Sequence, residues 1–116
     1  MNHLGIQHIV EFYRCSRSII SDGKQVEKVT LEAARLANAT IIESIFHKFS
    51  PKGISGVILI AESHLTIHTW PEHCYAAVDF FSCGVLDHKA AIAHMQKEFE
   101  AVKRSIETFK RGDLKE

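Results

Sequence analysis

Apolar positions recur along this chain with two different periods. Over residues 6–14 they alternate with other side chains, which is typical of a β-strand. Residues 54–61 are apolar almost throughout, as expected for a strand that is covered on both faces. The same reasoning predicts further strands, which are residues 40–49, 65–70, 75–83 (ended by Gly84) and 105–109. Strict alternation in the strand at 40–49 would place five side chains on one face: Ile41, Glu43, Ile45, His47 and Phe49.

Two other segments repeat apolar residues at the spacing of a helix. Asp22 begins the first, because its side chain can accept hydrogen bonds from the free amides of the first turn, and Asn38 ends it. Asp87 begins the second, which is expected to run to about Val102. The predicted inward faces are Val26, Val29, Ala33, Leu36 and Ala37 in the first helix and Ala91, Ile92, Met95, Phe99 and Val102 in the second.

The order of these elements predicts an α+β fold. Residues 14–21 are expected as a polar turn and residues 110–116 as a frayed tail. Short turns between neighbouring strands, such as residues 50–53 with their proline and glycine, favour antiparallel pairing. The expected architecture is a two-layer sandwich, an antiparallel sheet with two helices on one face. At 116 residues the chain is one domain by size.

Composition excludes several classes of partner. The chain has 14 Lys and Arg against 14 Asp and Glu, so its formal net charge is zero, and neither nucleic acid nor an anionic membrane is expected as a partner. No apolar run is long enough to span a bilayer, and the N-terminus has no secretory signal pattern. The 3 cysteines have no CxxC spacing, so reduced thiols, a cytoplasmic location and no metal are expected.

Side chains able to do acid, base or nucleophilic chemistry are concentrated in residues 62–72 and at Cys83. Three ordinary interpretations are open. The histidines can be plain polar residues of a strand. A metal site is disfavoured, because His64 and His68 would lie about 13 Å apart along a strand. A serine hydrolase is disfavoured, because Ser63 lacks a Gly-x-Ser-x-Gly turn.

The fourth interpretation is self-processing at the Glu62–Ser63 bond. The Ser63 hydroxyl attacks the carbonyl of its own preceding peptide bond, an ester replaces the amide, and loss of the serine α-proton breaks the chain and leads to a pyruvoyl group. Ser55, His68 and Cys83 are candidates for the base and the proton donor. Strict alternation puts Ser63 and His68 on opposite faces, so their cooperation requires a bend or bulge at Ser63.

Several blocks of the chain carry a resemblance to a known family. They are Phe46-His47-Lys48-Phe49, Gly53-Ile54-Ser55-Gly56-Val57, Glu62-Ser63-His64-Leu65-Thr66-Ile67-His68-Thr69-Trp70-Pro71-Glu72 and Cys83-Gly84. With these blocks, residues 5–84 closely resemble the bacterial and archaeal S-adenosylmethionine decarboxylase proenzyme family. The block of residues 62–72 is long and highly specific.

The resemblance implies how the chain matures. The single domain, residues 1–116, would cleave itself between Glu62 and Ser63 into a chain of residues 1–62 and a chain of residues 63–116. Ser63 would become a covalent pyruvoyl group, which serves as the cofactor and acts as an electron sink.

The resemblance also implies a role for each site residue. His68 and Ser55 would serve the processing step, and Cys83 would donate the proton in decarboxylation. The implied substrate contacts are Phe49 and Leu65 to the adenosyl part and Glu72 to the ribose hydroxyls. The substrate would be S-adenosylmethionine, and its decarboxylated product is the aminopropyl donor for spermidine. The expected assembly is a homodimer, with two sheets packed face to face in a four-layer αββα arrangement and each site built from both protomers.

Some residues depart from the family pattern. The chain has Gly5-Ile6-Gln7-His8 where members often have Gly-Arg-His, Arg14 stands at an often acidic or small position, and Ala61 stands where serine is frequent. None of these belongs to the processing set. Two alternatives therefore stay open, namely a pyruvoyl-dependent decarboxylase of ornithine or arginine and a homologue that never cleaves and acts as a regulatory subunit.

Overall fold

The chain forms one antiparallel sheet with helices on one face. A computed structural model describes residues 2–83 and 85–116, so the strand end predicted at Gly84 lies outside the described residues. The strands are β1 (His3–Tyr13), β2 (Thr40–Lys48), β3 (Ile54–Ala61), β4 (Ser63–Trp70), β5 (Tyr75–Ser82) and β6 (Lys103–Asp113). The helices are α1 (Arg17–Ile20), α2 (Gly23–Leu36) and α3 (His88–Glu98). The six strands lie in the order β2-β3-β4-β5-β1-β6, which confirms the predicted α+β architecture.

Side chains cap the two longer helices as the sequence predicts. Asp22 accepts two backbone N–H bonds at 3.0 and 3.3 Å and so satisfies free amides in the first turn of α2. Asn38 follows that helix with φ 65, the left-handed conformation that asparagine tolerates. Asp87 accepts one backbone N–H bond at 3.0 Å at the start of α3. Within the described ranges no helix is long and apolar enough to cross a membrane.

The largest differences from the predicted elements lie in three segments. Residues 14–21, expected as a turn, contain α1, whose Ile20 is fully buried. Helix α3 ends at Glu98 rather than near Val102, whose side chain is 69% exposed. The residues expected as a short strand and the first part of the expected frayed tail form β6, which pairs with β1 along Lys103–Asp113. All the side chains of β6 are exposed, so backbone pairing rather than burial defines this edge strand.

The core lies between the sheet and the helices. Its largest fully buried side chains include Phe12, Phe80, Phe99, Ile58, Ile60, Leu65, Ile67 and Met95. A bulge in β2 pairs Ile41 with Ile60 and Glu43 with Leu59, so Ile41 and Glu43 point to opposite faces. The expectation that Ile41 shares a face with Glu43 was therefore wrong, because a bulge shifts the alternation by one residue.

The other face of the sheet, called the open face below, is uncovered in the single chain. Val57 and Leu59 on this face are each 46% exposed, and Ile45 is 69% exposed. Strand β3 is thus covered on one face only, whereas its apolar sequence predicted cover on both. An apolar sheet face of this kind is typical of an interface.

Candidate active site

The first candidate cluster lies on the open face, where β3 and β4 run side by side. Ser55 and His68 are directly opposite each other across the ladder. The Ser55 hydroxyl lies 2.7 Å from His68 Nδ1, so the hydroxyl orients the exposed imidazole. The other ring nitrogen, Nε2, then points away from Ser55, and it can take up a proton from a neighbouring group when Nδ1 carries the ring hydrogen and donates it to the Ser55 oxygen.

Ser55 and His68 line a cavity of about 220 Å³. It brings together four predicted site residues, which are Phe49, Ser55, His68 and Glu72. Two further lining residues, Lys52 and Trp70, were not predicted as site residues. Trp70 lies inside the matched block of residues 62–72, and this position in the sequence could have identified it as a site residue. We name the four predicted residues, together with Trp70, the His68 cluster.

Local structure explains how Trp70 and Glu72 reach the cavity. Strand β4 ends at Trp70, and Pro71 starts a single 3₁₀ turn that holds Glu72. Arg17 Nε donates to the Pro71 carbonyl at 3.1 Å and anchors the turn. The Trp70 ring lies 5.3 Å from that of Tyr75 on β5. Burial, together with the hydrogen bond to Glu11, raises the pKa of Tyr75, so its phenol stays neutral.

The second candidate cluster lies at the other end of β4. Ser63 is the first residue of this strand, and its Oγ lies 3.3 Å from Cys83 Sγ, just beyond β5. Ser63 has φ 135, a conformation that residues with side chains rarely adopt. The unusual backbone therefore occurs at the residue where a bend or bulge was expected. A cavity of about 360 Å³ opens beside this pair and is lined by Ala61, Glu62, Cys83 and Leu86. We name Glu62, Ser63 and Cys83 the Ser63 cluster.

One chain does not bring the two clusters together. Ser63 and His68 are five residues apart on the extended strand β4, which corresponds to about 16 Å. Leu65 joins neither cluster, because its side chain is fully buried on the face that the helices cover. The predicted contact of Leu65 with the adenosyl part can therefore be made only by the backbone of this residue in this arrangement.

A polar network on the open face was not predicted from the sequence. Asp79 accepts a hydrogen bond from Gln7 Nε2 at 2.9 Å and lies 3.5 Å from His64 Nε2. Arg111 Nη1 donates to the Gln7 side-chain carbonyl. These partners come from β1, β4 and β6, so only the sheet register brings them together. In residues 2–83 and 85–116 no three His, Cys, Asp or Glu side chains are grouped closely enough to hold a metal ion.

Comparison with solved structures defines the class of fold. The crystal structure of the adenosylmethionine decarboxylase from Aquifex aeolicus superposes with a TM-score of 0.87 at 30% identity, covering 97% of this chain and 93% of that one. An S-adenosylmethionine decarboxylase monomer from Trypanosoma brucei shares the fold at 18% identity, with a TM-score of 0.63 over 87% of this chain and 44% of that one. The sandwich is thus the fold that these decarboxylases have.

Sequence comparison defines the family. The model of the S-adenosylmethionine decarboxylase family matches residues 6–112. The proenzyme of that name from Acidithiobacillus ferrooxidans is 47% identical over 115 residues, which are 98% of this chain and 86% of the relative. The one from Pseudomonas aeruginosa is 52% identical over 110 residues, which are 94% of this chain and 69% of the relative. The chain therefore belongs to the S-adenosylmethionine decarboxylase family, as its sequence blocks predict.

Proposed function

We propose that this protein is a self-processing S-adenosylmethionine decarboxylase whose active form contains a pyruvoyl group made from Ser63. The proposal rests on the 3.3 Å contact between Ser63 Oγ and Cys83 Sγ, in a chain whose relatives are named proenzymes. Glu62 directly precedes this serine in the matched block. We infer cleavage between Glu62 and Ser63, which gives chains of residues 1–62 and 63–116.

Cleavage begins when the Ser63 hydroxyl attacks the carbonyl carbon of Glu62. The carbon–nitrogen bond breaks as the ester forms, and the nitrogen becomes an amine. A base then removes the α-proton of Ser63, which expels the Glu62 carboxylate and leaves a dehydroalanine, and water converts this to the pyruvoyl group with release of ammonia. We assign the base to His68, whose ring the Ser55 hydroxyl orients at 2.7 Å. The strained φ of Ser63 favours reaction at this bond.

The surroundings of Ser63 fit a small carbonyl group. Cleavage makes residue 63 the first residue of its chain, next to the cavity of about 360 Å³ that Cys83 lines. A pyruvoyl group at this position supplies the electron sink that loss of CO₂ requires. We assign the proton donor of decarboxylation to Cys83, because its exposed thiol lies within 3.3 Å of the Ser63 oxygen.

We propose that the His68 cluster binds the adenosyl part of the substrate. Phe49 is 49% exposed at the cavity and offers a ring face to a sulfonium cation or a stacked base. Trp70 adds a second aromatic ring to the same cavity. Glu72 provides two oxygens that can accept from two ribose hydroxyls. Because the Leu65 side chain lies in the core, we expect the backbone of Leu65 to make its contact with the adenosyl part.

We further propose that the active form is a dimer in which the open faces of two chains pack together. The two clusters of one chain lie about 16 Å apart along β4, which is too far for His68 to remove a proton from Ser63 of the same chain. Face-to-face packing in opposite directions puts the His68 cluster of one protomer beside the Ser63 cluster of its partner. It also buries the exposed apolar residues of the open face, namely Ile45, Val57 and Leu59. The result is the four-layer αββα arrangement.

The substrate assay compares CO₂ release from carboxyl-labelled S-adenosylmethionine, ornithine and arginine, with the Ser63→Ala variant as the inactive control. We expect release from S-adenosylmethionine only, giving the aminopropyl donor for spermidine. Release from ornithine or arginine alone contradicts the proposed substrate. No release from any of the three contradicts the decarboxylase assignment and favours a regulatory homologue. A cytoplasmic location stays a prediction.

A further inference from the structure

A group of polar side chains lies behind the Ser63 cluster, on the face that the helices cover. Ser82 is the last residue of β5, directly before Cys83 and directly opposite Ser63 across the ladder. Its side chain is only 2% exposed, and its Oγ lies 2.9 Å from His88 Nε2. His88 is the first residue of α3. One hydrogen bond therefore links the end of the strand to the start of the helix.

The His88 ring is itself held from two sides. It lies 4.2 Å from the ring of His8 on β1 and 4.8 Å from the ring of Phe80 on β5. His8 Nδ1 in turn lies 2.9 Å from the Thr108 hydroxyl on β6. Burial lowers the pKa of both histidines, and for His88 the neighbouring His8 lowers it further. Both rings are thus neutral at neutral pH, and they lie against each other, tilted by 55°, without charge repulsion.

The position of Cys83 depends on contacts other than the hydrogen bonds of the sheet, because Cys83 lies outside β5. The thiol is exposed and lies outside β5, so no strand pairing fixes its position. The helix that follows is fixed at its start, since Asp87 accepts the Ala90 N–H at 3.0 Å. The bond from Ser82 to His88 fixes both ends of the connection that contains Cys83.

We propose that His88 is a positioning residue that holds the Cys83 thiol in place for proton donation, acting through Ser82. The inference rests on the proposed function, in which Cys83 donates the proton. His88 does not touch the reacting atoms. Its part is to keep the thiol over the carbon that must be protonated, because a proton delivered to the wrong carbon ends in an inactive enzyme.

The test counts turnovers per active site before inactivation, at equal pyruvoyl content determined by intact mass. His88→Leu keeps the volume of the side chain and removes the hydrogen bond. His88→Gln places a polar atom near the position of Nε2. His94→Leu, a change of the same kind on the same helix, is the control. We expect about tenfold fewer turnovers in His88→Leu, near wild-type numbers in the Gln and His94 variants, and an unchanged KM for all.

Ser82→Ala removes the hydrogen bond between Ser82 and His88 by deleting the serine hydroxyl. This variant replaces His88→Leu in the test if His88→Leu fails to fold or to cleave. Equal turnover numbers in wild type and in His88→Leu, or in Ser82→Ala where that variant serves, overturn the positioning role of His88. A loss that His88→Gln does not restore also overturns it, because the role would then be ring packing alone. Wild-type protein that forms no pyruvoyl group or releases no CO₂ overturns the proposed function instead, so the two failures are distinguishable.

Discussion

Ser55 and His68 face each other across two neighbouring strands, with the serine hydroxyl 2.7 Å from Nδ1 of the imidazole. The bond occupies Nδ1 and leaves Nε2 pointing away from Ser55. Yet the serine at the proposed cleavage point lies at the far end of the same strand, about 16 Å away. Within a single chain, the His68 ring is therefore too far from Ser63 to exchange a proton with it.

Replacing His68 by alanine should stop maturation at the ester. General base catalysis contributes on the order of a hundredfold or more, so completion of cleavage should slow by at least about that factor. The accumulated ester should be cut by hydroxylamine, as seen by gel electrophoresis and mass spectrometry. His94→Ala, on α3, is the control and should cleave normally. Normal cleavage kinetics in His68→Ala would assign the base elsewhere.

Replacing Cys83 by alanine should separate cleavage from turnover. The variant should still cleave, since Ser63 and His68 remain. It should then complete at least about tenfold fewer turnovers, because the proton donor is lost. Cys74→Ala provides a matched change at the end of the turn that holds Glu72 and should behave as wild type. Equal turnovers per pyruvoyl group in both variants would show that Cys83 is not the donor.

Acid should destabilise the fold through His8 and His88. The pKa of each is lowered from 6.5 in the folded chain, so the unfolded chain binds more protons in this range. Their contribution to stability is thus fully present above pH 6.5 and falls as the pH drops below that value. The free energy of unfolding in urea, measured on the Ser63→Ala proenzyme from about pH 7.5 to about pH 5, should fall less steeply when both are changed to leucine. An identical slope in that double variant would contradict this origin.

Mixing two inactive variants should restore cleavage if each site is shared between protomers. Ser63→Ala lacks the nucleophile, and His68→Ala lacks the base. In a mixed dimer the intact serine of the His68→Ala chain meets the intact histidine of its partner. Tags of different size identify the cleaved chain, which should be the His68→Ala chain alone. Absence of cleavage in mixed dimers, once their formation is verified, would show that the site lies within one chain.

The sequence predicts those parts of the fold that depend on local chemistry. The caps at Asp22 and Asp87 and the left-handed Asn38 were found where the helix-end rules place them. The antiparallel pairing of the consecutive strands β2 to β5 follows from the short connections between them. What local rules missed depends on distant pairing. Strand β6 buries no side chain and is defined by its pairing with β1, about a hundred residues earlier in the sequence.

The candidate site was predicted in part. The matched blocks identify Ser55, Ser63, His68 and Cys83, and the structure adds that Ser55 contacts His68 and that Ser63 contacts Cys83. Strand alternation places the Leu65 side chain in the core, so the adenosyl contact that the resemblance implies for Leu65 falls to its backbone. No periodicity shows that the two clusters gather at opposite ends of one strand, which is the arrangement from which we propose a site shared between two chains. The bond from Ser82 to His88 likewise requires the packed helix.

The most direct test of the account is the intact mass of freshly purified protein followed during incubation. The account predicts that the full chain disappears as two fragments form, residues 1–62 and residues 63–116, the second with a pyruvoyl group in place of its N-terminal serine. Ser63→Ala should stay whole under the same conditions, because no nucleophile remains. A wild-type chain that stays whole after long incubation, with Ser63 intact, would contradict the central claim of self-processing at Glu62–Ser63.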